Sequence, residues 1–244
     1  LDEGGGLIAY DISGNYGNGT LTGGPAWSAG QFGAALNFDA INDYIAVGAP
    51  SHLSLSGPMS ISGWVKPSTL AFGAVLANSN SLETLSQYSF FLTATGGLIF
   101  SWSNTGSETY ETAGSLISAG TWFHVVAVRI SNSSVNIFIN GVSYAVTPTG
   151  DFAIPSSAGN LAIGRTGDTN FDYFNGLLDD IRIYNRALTA EEVAGLYNDP
   201  FAEFRVERRV AYNTVAAGGR TTKNTRAFPL GQFVGMGQRM HMSA

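Results

Sequence analysis

The chain contains no cysteine and few charged residues, and each shortage excludes a class of protein. Without cysteine among its 244 residues, it can form neither a disulfide scaffold nor a zinc site built on thiolates. Charged residues make up only 12 %, too few for a coiled coil or a long helical bundle. No run of about 18 apolar residues occurs, so we expect no membrane-spanning segment. At 44 % hydrophobic residues, the chain is too apolar to be intrinsically disordered.

Glycine and aromatic residues are abundant, and they favour β structure. The chain has 31 glycines, together with 15 phenylalanines and 10 tyrosines. Short segments rich in valine, isoleucine, phenylalanine and threonine alternate with turn residues, as expected for strands. We predict eleven strands: Leu36–Phe38, Tyr44–Val47, Met59–Val65, Ala74–Ala77, Tyr88–Thr93, Leu98–Ser103, Phe123–Ile130, Val135–Ile139, Val142–Ala145, Asn160–Ile163 and Gly176–Tyr184.

Two local patterns are specific. Aliphatic residues recur at every second position of Val135–Ile139, and Asn140-Gly141 follows, which predicts a hairpin with a tight turn. Thr189, with Glu192 three residues later, has the spacing of a capping box and predicts a helix of about ten residues. Asp199-Pro200 ends that helix, because proline disfavours helical backbone in the residue before it.

The net charge of −6 is the sum of two unlike parts. Residues 1–200 have 5 basic and 16 acidic side chains (−11), whereas residues 201–244 have 7 basic and 2 acidic side chains (+5). Such asymmetry is typical of an interaction segment. We therefore divide the chain into an acidic body, residues 1–199, and a basic, aromatic arm, residues 200–244. The charge of the body argues against a surface that follows nucleic-acid phosphates.

Several segments, in order, carry a family resemblance. They are Tyr10–Asn15, Leu36–Asp39, Asp43–Ile45, Ile61–Pro67, Trp122–Val125 and Phe174–Leu188. Together they resemble laminin-G-like domains of the concanavalin A-like lectin and glucanase superfamily, over residues 5–198. The resemblance implies an all-β, two-sheet antiparallel jelly-roll sandwich with one short C-terminal helix, followed here by an extended arm. This fold serves lectins, enzymes, adhesion modules and spacers, so the fold alone does not give the function.

The resemblance also implies a structural calcium ion that ties the two ends of the domain together. Asp11 in the opening loop and Asp180 in the closing strand are the candidate ligands, because calcium prefers carboxylate and carbonyl oxygens. The alternative is that both are turn residues or caps in contact with solvent. Residues 168–172 carry oxygen side chains at alternate positions, but they lack the glycine and the distal glutamate of an EF-hand loop. There we prefer the turn interpretation.

We expect no enzymatic activity. Glucanases of this superfamily carry acidic residues alternating along one strand, and no predicted strand here has that pattern. Asp179 and Asp180 are adjacent, so we expect them to point to opposite faces of a strand, and Glu108 and Glu111 lie in a loop-like stretch. The three histidines have no recognisable nucleophile motif around them; they are His52, His124 and His241.

Two binding functions remain. Sugars stack on exposed aromatic rings, and four candidates lie in or near predicted loops: Trp27, Trp102, Tyr110 and Tyr173. The sequence leaves open whether each of them packs in the core instead, as we expect for Trp64 and Trp122. On the interpretation that these rings bind a surface glycan, the protein is a secreted bacterial carbohydrate-binding module.

The arm suggests another setting. Its junction with the body resembles virion-associated proteins of tailed bacteriophages, which implies attachment to a capsid or tail in several copies, with the jelly roll displayed outward. Aromatic residues and arginine are enriched at protein interfaces. The candidate attachment residues are Phe201, Phe204, Arg205, Arg208 and Arg209. We favour this non-enzymatic virion protein over the secreted module.

Overall fold

The computed structural model describes residues 3–79, 85–104, 107–150, 153–155, 159–167, 171–201 and 237–239. Two antiparallel sheets contain the described strands. In chain order these are β1 Ile8–Ala9, β2 Gly19–Thr22, β3 Ala26–Ala29, β4 Ala34–Asp39, β5 Tyr44–Gly48, β6 Met59–Pro67, β7 Gly73–Ser79, β8 Leu85–Leu92, β9 Leu98–Asn104, β10 Ser107–Thr112, β11 Phe123–Ser131, β12 Ser134–Ile139, β13 Val142–Tyr144, β14 Val146–Thr149, β15 Asn160–Ile163, β16 Asn175–Tyr184 and β17 Gly237–Arg239.

The sheets form a jelly-roll sandwich. One has nine strands in the order β1-β2-β5-β15-β7-β8-β9-β10-β14, and the other has the order β13-β12-β11-β6-β16-β4-β3, with β17 beside β16. Their facing sides bury one apolar core that includes Phe38 and Val65 from the second sheet and Phe90 and Phe100 from the first. The predicted all-β fold is therefore confirmed, and burial of this apolar area provides its main driving force.

The predicted hairpin and helix are both present. Asn140 and Gly141 have φ values of 50° and 78°, the left-handed backbone that a tight turn between β12 and β13 requires. The helix α1 spans Ala190–Asn198, and its N-cap Thr189 forms the predicted capping box with Glu192. The ends of both elements thus follow from local sequence.

Helix α1 covers part of the outer face of the second sheet. Val193 of the helix and Leu188 before it are buried against Val126, Phe138 and Tyr184 of that sheet. Among the described residues, no helix is long and apolar enough to cross a membrane. The outer face of the nine-stranded sheet carries no such helix within the described residues, and the candidate site lies there.

Candidate functional site

A band of hydroxyl side chains crosses the outer face of the nine-stranded sheet. In β9, Phe100 and Trp102 point into the core, so Ser101 and Ser103 between them point outward. The same alternation in β10 turns Tyr110 inward and Thr109 outward. Because these hydroxyl groups point away from the core, a ligand can bind them without disturbing the packing of the core.

The strand register aligns these hydroxyls in two rows. Cross-strand partners share a face of the sheet and lie about 5 Å apart. The first row is Ser79, Ser86, Ser103 and Ser107, on β7, β8, β9 and β10. The second row is Ser89, Ser101, Thr109 and Thr149, on β8, β9, β10 and β14. Eight hydroxyls on five adjacent strands therefore form an ordered polar surface.

A cavity of about 180 Å³ lies over these rows, and we call it the hydroxyl groove. Besides serines of both rows it is lined by Thr109, Thr166, Phe91, Trp102 and Asp172. Phe91 stacks on Phe72, with ring centroids 5.2 Å apart, and Phe72 is 44 % exposed. The groove thus combines hydroxyl groups with an aromatic ledge at its side.

A second cavity, of about 290 Å³, adjoins the hydroxyl groove on the same face. Tyr44, Asn160, Arg165 and Gly167 are among its lining residues, and we call it the Arg165 cavity. The Arg165 guanidinium lies over the Tyr44 ring at 3.6 Å from the centroid. Gly167 donates its backbone N–H to Ser79 Oγ at 2.9 Å, and so connects the two cavities.

Of the four aromatic residues predicted to bind sugar, Trp102 is among the residues that line the groove. Trp102 and Tyr110 are 1 % and 3 % exposed and stack on each other in the core, so neither offers a ring face to a ligand. Trp27 lies in β3 of the other sheet and donates its indole N–H to the Gly6 carbonyl. Tyr173 is half-buried beside Asp172, in the loop that borders the groove.

The predicted pair of calcium ligands is separated by β16. Asp11 accepts backbone N–H groups from Ser13 and Gly17 and lines a small cavity against the core side of Ile181. Asp180 lies on the opposite face of the strand, and both of its carboxylate oxygens bond to Arg182. The two side chains therefore form no joint donor set. Among the described residues, no three acidic or histidine side chains form a group that could hold a metal. Calcium binding stays a prediction from the resemblance.

The other proposed calcium loop lies partly outside the described residues. Asp168, Thr169 and Asn170 belong to the part that the structure does not describe. Asp172 is described and lines the hydroxyl groove. Asp172 is therefore a single carboxylate among the hydroxyl groups of the groove.

Asp179 and Asp180 point to the same face of β16, contrary to the sequence prediction. The register with β6 shifts between Asp179 and Arg182, and Asp180 has a φ of 47°. This bulge places two consecutive side chains on the outer face. Asp179 accepts the Phe32 backbone N–H there, and burial raises the pKa of Asp179 to about 6. Both carboxylates are buried and bonded within the protein, away from the groove.

Two glutamates also lie elsewhere than predicted. Glu108 and Glu111 belong to strand β10 rather than to a loop. Glu108 is 2 % exposed, on the core side of the strand, because it alternates with the outward-facing Thr109. Neither glutamate is among the residues that line the hydroxyl groove.

His124 belongs to a cluster of rings under helix α1. It is 2 % exposed, and its ring lies beside those of Trp64 and Tyr197. Burial lowers the pKa of His124 to about 3, so this side chain is neutral at physiological pH. His124 is therefore packed among aromatic rings of the protein. His241 lies outside the described residues.

The first residues of the arm are attached to the body. The Pro200 carbonyl accepts an N–H from Arg182 at 2.7 Å, and the Phe201 ring packs edge-on against Phe32. Phe201 is therefore half-buried against its own domain, and its role in attachment stays a prediction. The other predicted attachment residues lie outside the described residues; they are Phe204, Arg205, Arg208 and Arg209.

Comparison with known proteins agrees with this architecture. The family model described as the concanavalin A-like lectin/glucanases superfamily matches residues 39–194, more than half of the chain. The chain belongs to this superfamily. The matched superfamily segment contains β5 to β16 and both cavities. No curated protein matches the sequence significantly.

Solved structures show the same superfamily fold at low sequence identity. Domain 4 of an extracellular GH43 arabinanase from Geobacillus stearothermophilus, in complex with arabinotriose, has a TM-score of 0.62 at 24 % identity, covering 78 % of this chain and 93 % of that domain. The CBM40 domain of the Ruminococcus gnavus IT-sialidase, bound to α2,3 sialyllactose, has a TM-score of 0.55 at 14 % identity, covering 67 % and 96 %.

A toxin domain is also similar. The binding domain of Paraclostridial Mosquitocidal Protein 1 has a TM-score of 0.58 at 18 % identity, and the match covers 80 % of this chain but only 53 % of that one. The chain thus spans about half of that binding domain. At these identities the similarities show a shared fold.

Proposed function

We propose that the chain is a non-catalytic carbohydrate-binding domain that holds a sugar unit in the hydroxyl groove. The observation that carries the proposal is the pair of hydroxyl rows across β7, β8, β9, β10 and β14. A serine or threonine hydroxyl can donate one hydrogen bond and accept two. Sugar hydroxyls have the same dual capacity, so such a surface can bond them in either sense.

The shape and the aromatic ledge support this proposal. A cavity of about 180 Å³ is of the size of a single sugar ring rather than of a long chain. Phe72 and Phe91 place apolar ring surface beside the hydroxyls, where the C–H face of a sugar can pack. Buried sites for small molecules combine apolar and polar groups in this way.

The structural neighbours support binding rather than catalysis. Two of them are named as complexes with arabinotriose and with sialyllactose, and a third is named as the binding domain of a toxin. Glycoside hydrolysis requires two carboxylates that face each other across the sugar. Among the described residues that line the groove, Asp172 is the single acidic residue, whereas hydrolysis needs two.

Replacing two groove serines tests the proposal. We expect Ser101→Ala combined with Ser103→Ala to weaken binding of a glycan by about tenfold, because two hydrogen bonds to the ligand are lost. Both side chains are partly exposed, so we expect the free energy of unfolding to change little. A glycan array identifies the ligand, and titration calorimetry then measures its affinity for each variant.

The matched control removes two serines from the hairpin between β11 and β12. Ser131 and Ser133 are exposed, and their hydroxyls lie 3.4 Å apart. The variant Ser131→Ala with Ser133→Ala should bind the glycan like the original chain. Equal affinities of the groove and control variants would contradict the proposed site.

We also propose that the arm attaches the domain to a larger assembly, with a bacteriophage capsid or tail as the first candidate. The charge of residues 201–244, +5 against −11 for residues 1–200, supports an interaction segment, as does the resemblance of the junction to virion-associated proteins. In that setting the jelly roll displays its groove to a host surface and is present in several copies. In the alternative, a secreted bacterial module, the arm is a linker.

Truncation tests the role of the arm. Because Pro200 and Phe201 pack on the body, the chain should end after Phe201 rather than before it. We expect the truncated protein to retain its thermal stability and glycan affinity but to be missing from assembled particles, as measured by sedimentation and immunodetection. Normal incorporation of the truncated chain would exclude this role for the arm.

A further inference from the structure

Two apolar side chains continue the outer face of the sheet beyond the second hydroxyl row, and we call them the apolar row. They are Phe91 on β8 and Ile99 on β9, which are cross-strand partners. Each lies two residues along its strand from a member of the second hydroxyl row, Ser89 or Ser101. The residues on both sides of Phe91 and of Ile99 belong to the core, so these two side chains point outward. The outer face therefore changes from hydroxyl groups to apolar surface within one repeat of the pleat.

Two exposed phenylalanines lie at the border of the groove. Phe72 is 44 % exposed and stacks on Phe91, with ring centroids 5.2 Å apart. Phe171 is 64 % exposed, and its backbone carbonyl accepts the Thr166 hydroxyl at 3.0 Å. Thr166 and the residue after Phe171, Asp172, both line the groove, so the backbone of Phe171 lies at its border. A ligand in the groove therefore has both hydroxyl groups and apolar rings within reach.

We propose that the sugar in the hydroxyl groove is an N-acetylhexosamine, whose acetamido group extends from the second hydroxyl row to the apolar row. This group consists of a polar amide followed by an apolar methyl. Hydroxyls of the second row can accept from the amide N–H or donate to its carbonyl. Phe91 and Ile99 can then bury the methyl. The inference rests on the proposed function, because it names the sugar held at the same site.

The spacing of the rows favours an acetamido group over a smaller apolar substituent. Residues two apart in a strand are separated by about 6.6 Å, which is the step from the second hydroxyl row to the apolar row. Across a trans amide the flanking carbons lie about 3.8 Å apart, so the acetyl methyl extends that far from the sugar ring. The methyl of a 6-deoxy sugar lies a single bond, about 1.5 Å, from its ring. The acetamido group therefore covers much more of the step.

The charges of candidate sugars also favour an acetylated amine. Residues 1–200 carry a net charge of −11, which disfavours anionic sugars such as uronates. A sugar with a free amine carries an ammonium group, and burying that group against Phe91 and Ile99 would cost its hydration. Acetylation removes this charge and adds the methyl that the apolar row can cover.

N-formyl glycosides test the role of the methyl, because they keep the amide and lack that one group. The probes are glycosides of N-acetylglucosamine and N-acetylgalactosamine. For the epimer that the full chain binds, we expect the acetylated form to bind about fourfold more tightly than the N-formyl form, the effect of burying one methyl-sized group. The glucose or galactose counterpart, which also lacks the amide, should bind about tenfold more weakly than the acetylated form. Titration calorimetry measures the three affinities.

Ile99→Thr removes apolar surface from the apolar row and keeps a β-branched side chain that suits a strand. We expect it to abolish most of the preference for acetyl over formyl and to bind the N-formyl form as before. Phe72→Ala, at an exposed ring, should reduce the same preference. Ile130→Thr is the matched control, because Ile130 is 45 % exposed in β11 of the other sheet. It should keep the preference, and thermal unfolding verifies that each variant is folded.

Equal binding of the acetylated and N-formyl glycosides by the full chain would overturn the inference. An unchanged preference in both Ile99→Thr and Phe72→Ala would do the same, as would binding only to glycans without an acetamido group. The proposed function is tested separately and still holds in those cases if the Ser101 and Ser103 variant weakens binding of the glycan that the chain does bind. If that variant binds the glycan like the unmodified chain, the proposed function fails as well.

Discussion

Trp102→Ala is expected to lower the free energy of unfolding by about 3–5 kcal/mol, the usual cost of truncating a buried tryptophan. Trp102 is 1 % exposed, stacks on Tyr110 with ring centroids 5.6 Å apart, and lies under the Arg129 guanidinium. The substitution leaves a cavity in the apolar core beneath strand β9. Urea unfolding followed by circular dichroism measures the loss.

The exposed ring of Phe72 provides the opposite case. Phe72→Ala removes a side chain that is 44 % exposed, so we expect a stability loss below about 1 kcal/mol but weaker glycan binding. The two variants therefore separate a core role from a ligand role. If Trp102→Ala left the stability unchanged but weakened glycan binding, Trp102 would contact the ligand, and its assignment to the core would be wrong.

Asp180→Asn is expected to cost about 3–5 kcal/mol, because it leaves the Arg182 guanidinium buried without its countercharge. The ion pair joins Arg182 Nη2 and Asp180 Oδ2 at 2.8 Å, with side chains only 2 % and 9 % exposed. Asparagine has nearly the same shape and accepts the left-handed backbone of residue 180, so the variant changes charge alone. Urea titration again provides the measurement.

Glu192→Gln is the control, since it breaks an ion pair whose side chains are 32 % and 33 % exposed. Glutamine also serves in a capping box, so helix α1 keeps its N-terminal cap. We expect a loss below about 1 kcal/mol. Adding Arg182→Met to Asp180→Asn should recover part of the larger loss, because it removes the uncompensated charge. Equal losses for Asp180→Asn and Glu192→Gln would show that burial does not set the strength of these pairs.

Local sequence predicted the elements whose apolar residues are arranged periodically. The β12–β13 hairpin and helix α1 both lie where alternation, turn residues and caps placed them. Strands β2 and β10 were not predicted, since they read Gly-Thr-Leu-Thr and Ser-Glu-Thr-Tyr-Glu-Thr. Such polar segments form strands because they pair with neighbouring strands of the sheet. Their own residues give no sign of that pairing.

The candidate site was harder to predict than the fold. The serines of the hydroxyl rows are far apart in sequence and become neighbours only through the register of β7, β8, β9 and β10. Their alternation with Phe100 and Trp102 was a usable signal, because it turns Ser101 and Ser103 outward. The aromatic candidates were chosen by residue type, and type does not distinguish a buried ring from an exposed one.

The absence of cysteine, the low charge and the abundance of glycine and aromatic residues restricted this protein to a β fold without disulfides. Composition and local pattern suffice for that, because they decide which segments can form strands and bury a face. Only the tertiary structure decided where polar side chains meet. It separated Asp11 from Asp180, buried Trp102, and aligned eight hydroxyls beside Arg165. A binding site depends on contacts between distant strands, and those contacts follow from register and bulges rather than from any one segment.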